Sequence, residues 1–146
     1  MDGHTDKETG LFISIEDCCD KIEKYVAQNL EGKVYGLSGF SMGSTIAVEL
    51  MARNKISIEK VILDAAFCVK LGILTPIYTG IFCWALRKIQ SGKTIPAIMI
   101  ESVMGKGNRG IVEANFNGEV TFWYGSNEHC PKKTAELLKS ICPKCK

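Results

Sequence analysis

Gly39-Phe40-Ser41-Met42-Gly43 stands between an apolar, β-branched stretch (Val34, Tyr35, Leu37) and a helix-forming one that runs from Thr45 to Arg53. A serine on so tight a strand-to-helix turn needs small neighbours, because a Cβ on either flank would collide with the adjoining strand or helix. Gly39 and Gly43 supply them. The turn pushes the Ser41 hydroxyl outward and puts it at a helix N-terminus, where the free N–H of Met42 can stabilise negative charge on a substrate oxygen. A plain Gly/Ser turn ahead of a helix is the bland alternative. Both flanks fit the sharper reading, a nucleophile elbow.

Working outward, Lys33 to Ser38 reads as the strand before the elbow, and Ile46, Ala47, Leu50 and Met51 as the sheet-facing side of the helix after it. Upstream, Ser14-Ile15-Glu16-Asp17 predicts a helix start with Ser14 as N-cap. Ile15, Cys18, Cys19, Ile22, Tyr25, Val26 and Leu30 then fall at helical spacing as a single apolar face, and Glu31-Gly32 ends it. Downstream, Val61-Ile62-Leu63, ending at Asp64, predicts a second strand joined to the first by a right-handed crossover. Val120 to Tyr124 predicts a third, with Phe122 toward the core and Trp123 toward a helix layer or the reverse. A last helix is expected from about Lys132 to Ile141.

Taken together these features resemble the α/β-hydrolase fold family. The resemblance implies an α/β fold: a mostly parallel sheet with helices on both faces in a single domain over 1–146, with residues 68–118 as a small helical cap. It implies a serine hydrolase acting on an ester, thioester or related acyl bond, with Ser41 as nucleophile, Met42 as oxyanion donor and no cofactor. In that family a "Gly-x-x-acid" loop after a late strand supplies the triad carboxylate, and Gly125-Ser126-Asn127-Glu128 puts Glu128 there. Met1-Asp2-Gly3-His4 is similar to the end of the family's Asp-x-x-Gly-His-Gly segment.

Two departures qualify the resemblance. The family's order is Ser, then Asp or Glu, then His on a loop well beyond the acid, yet only 18 residues follow Glu128 and none beyond the adjacent His129 is histidine. The strands that would supply a second oxyanion N–H have no counterpart ahead of Ser14. The chain is therefore expected to be the middle and late part of a larger hydrolase, nearly inactive alone. Of its two histidines, His129 adjoins the proposed acid, so the two should not converge on one nucleophile, and His4 matches a family position that is chiefly structural. The alternative reading is a non-catalytic binding or interaction module. Missing strands would leave an open sheet edge that favours a homo-oligomer.

Composition narrows the field further. Eighteen basic against 16 acidic residues, scattered along the chain, give no nucleic-acid signal. Seven cysteines without a leading signal peptide suggest a reducing, cytoplasmic setting. Cys142-Pro143-Lys144-Cys145 is the sole C-x-x-C, and a structural zinc site would want a second pair, so no metal is expected. The apolar stretch from Leu71 to Leu86 is broken by Gly72, Thr75, Pro76, Thr79 and Gly80 and is too short to span a membrane. Ile77, Tyr78, Phe82 and Trp84 within it are either pocket lining over Ser41 or plain packing.

Gly105 to Gly110 matches the G-x-G-x-x-G of dinucleotide sites. Such a site needs a helix opening at the loop, and Ile111 to Phe116 gives under two turns before Asn117-Gly118. A cap loop is the better reading.

Overall fold

The structure, a computed structural model, describes residues 14–66, 77, 80–81, 84, 116–126, 131–142 and 144–146. Its elements run α1 (Ile15–Asn29), β1 (Lys33–Phe40), α2 (Met42–Arg53), β2 (Ser57–Asp64), β3 (Glu119–Trp123) and α3 (Pro131–Ile141). Among the described residues they form an α/β fold around a three-stranded sheet of order β1-β2-β3, both pairings parallel.

Local chemistry sets the ends of these elements. Ser14 is extended (φ −156°, ψ 169°) and its Oγ accepts the Asp17 N–H at 3.1 Å, so α1 starts where an N-cap oxygen satisfies a free donor. At the other end the N–H groups of Leu30 and Gly32 both donate to the Val26 carbonyl. Glu31 and Gly32 take positive φ there, turning the chain into β1.

Register decides which side of the sheet is dry. Leu37 pairs with Val61 and Val61 with Val120, while Gly39 pairs with Leu63 and Leu63 with Phe122, so these six share one face. Val61, Leu63, Val120 and Phe122 are buried there, with Ile46, Ala47, Val48, Leu50 and Met51 of α2 in the same core. Each fully buried side chain of this size contributes about 1.5–3 kcal/mol. The opposite face carries Gly36, Ser38, Phe40, Lys60, Glu119 and Trp123, all exposed. Phe122 is thus the core residue of its pair, and Trp123, 56% exposed, meets no helix layer among the described residues.

Helix α1 lies on α2 through a seam that is partly ionic. Ile15, Cys19 and Val26 are buried as the spacing predicts, but Tyr25 (60%) and Leu30 (44%) are exposed, and Glu23 is buried instead. The reason is Arg53 at the end of α2. Its guanidinium donates to Asp20 Oδ1 (2.6 Å), Glu49 Oε1 (3.0 Å) and Glu23 Oε2 (3.4 Å), and Lys55 Nζ reaches the same Glu23 oxygen at 3.1 Å. Burial works against the Arg53 charge, yet the bonds to Glu49 and Asp20 outweigh it and hold the pKa above its ordinary value. Glu23 Oε1 has no partner among the described residues.

The far side of the sheet is closed by the chain's last residues. Cys145 bridges Val120 in parallel, the Lys146 N–H donates to the Val120 carbonyl at 2.9 Å, and the Phe122 N–H donates to the Lys146 carbonyl at 3.0 Å.

Candidate functional site

The site is built where β1 becomes α2. Ser41 has φ 50° and ψ −113°, a combination that L-residues rarely adopt, and its side chain makes no capping bond to its own helix. Such a conformation costs about 1–3 kcal/mol and persists only where its surroundings over-determine it. Here they do. The Ser41 N–H donates to the Asp64 carbonyl at the end of β2 (2.9 Å), and its own carbonyl accepts the N–H groups of Ser44 (2.9 Å) and Thr45 (3.3 Å).

Gly39 is the steric half of the device. A Cβ on Gly39 would come within 2.5 Å of the Gly43 carbonyl carbon and 2.6 Å of the Ser44 nitrogen, and closer still to the Gly43 oxygen. These are backbone atoms that cannot swing away, so strand and helix approach this closely only over glycine. Gly43 differs from the sequence expectation: a Cβ there meets nothing within 4 Å among the described residues. The close approach falls on the backbone of residues 43–44, and only the first glycine of the motif is compelled by it.

Ser44 completes the support and was not legible as a site residue. It is fully buried, and its hydroxyl proton is shared between the carbonyls of Gly39 (2.5 Å) and Asp64 (2.8 Å). That one group ties the ends of β1 and β2 to the first turn of α2. Nothing in the sequence separates a buried Ser44 from a solvated serine in a first turn.

The outcome is an exposed Ser41 over the start of α2. The helix leaves its first N–H groups without intrahelical acceptors. With those of Ser41, Ser44 and Thr45 engaged, the donors of Met42 and Gly43 have no backbone acceptor among the described residues and remain for a ligand. Met42 is the first helical residue, the position expected for an oxyanion donor.

Phe40 pairs with Asp64 and Asp64 with Trp123, so the strands end level. Gly125 and Ser126, which open the proposed acid loop, therefore leave the sheet at the same carboxyl end as Ser41. Glu128 itself lies outside the described residues, as do His4, His129, the 105–110 glycine motif and most of 68–118. Of the cap residues, Ile77 and Trp84 are helical and largely exposed (59% and 60%). Among those residues no group of three metal-binding side chains occurs, and no helix is long and apolar enough to cross a membrane.

Solved structures share this architecture. A protein assigned to the alpha/beta hydrolase family from Desulfitobacterium hafniense superposes with a TM-score of 0.74 at 19% identity, over 97% of this chain and 69% of that one. The chain has the α/β-hydrolase fold. A lipase-esterase related protein from Clostridium acetobutylicum gives 0.66 at 16% identity, over 98% of this chain and 69% of its own. The N-formylmaleamic acid deformylase of Pseudomonas putida S16 gives 0.52 at 12% identity, over 93% and 65%. No protein-family model and no curated protein matches the sequence. Three α/β-hydrolase-fold neighbours with so little identity establish the architecture and leave the chemistry to be argued from Ser41.

Proposed function

We propose that the chain carries the nucleophile half of a serine hydrolase acting on an ester, thioester or related acyl bond. One observation carries this reading: Ser41 is held at φ 50°, ψ −113° with its side chain exposed at the start of a helix. Strain that neither caps the helix nor fills the core has no structural purpose of its own. In the proposed step Ser41 Oγ attacks the acyl carbon, the carbonyl oxygen gains negative charge, and the Met42 N–H donates to it. One such donor is worth about 10²–10³ in turnover.

Glu128 is proposed as the carboxylate that orients a histidine, and that histidine is proposed to lie beyond Glu128 in a longer protein. A serine without a base is a poor nucleophile at neutral pH, and losing a triad member costs about 10⁴–10⁶ in turnover. The 146-residue chain is therefore expected to show almost no esterase turnover. Turnover lost in Ser41→Ala but kept in both His4→Ala and His129→Ala would contradict the missing base.

A second reading, a non-catalytic interaction module, rests on the outer edge of β1, which no strand pairs among the described residues. Incubation with a fluorophosphonate separates the two. Covalent mass on Ser41 at neutral pH, absent in Ser41→Ala, supports the hydrolase; an unlabelled Ser41 fits either the module or a hydrolase fragment without its base, and self-association of that folded chain in sedimentation then supports the module.

A further inference from the structure

Phe40, Asp64 and Trp123 stand in one row across the carboxyl end of the sheet. Phe40 pairs with Asp64 and Asp64 with Trp123, and partners in a parallel ladder share a face, here the one turned away from α2. Neighbouring strands lie about 4.8 Å apart, so the two aromatic positions are about 9.6 Å apart with the acid midway. Phe40 is 71% exposed and Trp123 is open as well, while Asp64 is half-buried. The Asp64 backbone carbonyl is taken by Ser41 and Ser44, but its carboxylate has no hydrogen bond or ion pair among the described residues. Lys60, on the same face, is four residues back along β2 and so about 13 Å away. A carboxylate without a counter-charge between two open rings is the chemistry that recognises a cation, which an aromatic face attracts within about 6 Å of its centre.

We propose that this row is a specificity site for an ammonium group, so that the acyl substrate of Ser41 carries a quaternary or protonated amine. Ser41 follows Phe40 directly. An amine on the row and an acyl carbon at Ser41 Oγ therefore fit within one small molecule. In a longer chain this is also the end of the sheet that must stay reachable for an acyl group to meet Ser41. That the amine belongs to a substrate rests on the proposed hydrolase; that the row binds an amine does not. A neutral group of the same shape would touch the rings and gain nothing from Asp64, and an anion would be repelled by it.

The test is an NMR titration of the natural chain with choline, read at the Trp123 indole and the Asp64 amide, beside its neutral isostere 3,3-dimethyl-1-butanol. Choline is expected to give saturable shifts at both positions and the neutral alcohol to bind several-fold more weakly. Asp64→Asn, which keeps the backbone carbonyl that holds Ser41 and Ser44, and Trp123→Leu are each expected to weaken choline by about two- to five-fold. Glu119→Gln removes a carboxylate on the same face four residues from Trp123 and is expected to leave choline binding unchanged. No saturable shift, equal binding of the neutral alcohol, or a loss in Glu119→Gln as large as in Asp64→Asn would each overturn the site. The two readings fail separately, since choline binding reports on the row whatever Ser41 does, and covalent fluorophosphonate mass reports on Ser41 whatever the row binds.

Discussion

The two ends of α2 take nearly the same φ and are used in opposite ways. At its C-terminus Asn54 has φ 49° and ψ 31°, the left-handed cap that asparagine tolerates, its N–H donates to the Leu50 carbonyl, and the neighbouring Arg53 is ion-paired to α1. At its N-terminus Ser41 has φ 50° but ψ −113°, the side chain caps nothing, and the Met42 and Gly43 donors have no backbone acceptor among the described residues. The closed end binds the helix to the fold, and the open end stores strain beside an exposed hydroxyl. The open end can be left so because Gly39, Ser44 and the Asp64 carbonyl hold it from the strand side.

The largest expected effect comes from removing that hold. Gly39→Ala sets a Cβ against backbone atoms 2.5 and 2.6 Å away, so it should cost more than about 3 kcal/mol in urea unfolding. A cost below about 1 kcal/mol would mean that strand and helix do not meet there. Next is the closed end. Arg53→Ala leaves the buried Glu23 with Lys55 alone and is expected to cost about 3 kcal/mol, while fluorophosphonate labelling of Ser41 in the folded fraction stays unchanged. Labelling that falls with stability would show the two ends to be coupled.

A smaller effect reads the dryness of the seam beneath Arg53. Burial pushes the Cys19 thiol from 9.0 to about 12, with Arg53 acting in the lowering direction and Glu49 in the raising one. The neutral thiol belongs to the folded state, so its stabilisation is whole below pH 9 and is lost as pH rises toward 12. Stability should fall there by about 1.4 kcal/mol per pH unit at its steepest more than in Cys19→Ala. Equal slopes would mean that Cys19 is wet.

Much of this arrangement was legible in the residues because their chemistry is local. A cap at Ser14, the elbow motif and three apolar strands each depend on a few neighbouring residues, and each stands within two to four residues of its expected bounds. What escaped depends on distant partners. Apolar spacing counts Tyr25 as core and Glu23 as surface, and only Arg53, thirty residues on, reverses them. Ser44 became a support because β2 ends beside it, a fact of register that no window around position 44 contains. Gly43 shows the converse, since a familiar motif led to a steric demand that the backbone does not make.

Glycine substituted at each end of α2, with stability measured by urea unfolding, tests the central claim most directly. Ser41→Gly relieves a conformation that serine resists and should exceed Ser41→Ala in stability by about 1 kcal/mol, whereas Asn54→Gly should shift stability by only a few tenths of a kcal/mol. Ser41→Ala as stable as Ser41→Gly, or more so, would show that no strain is held beneath the hydroxyl.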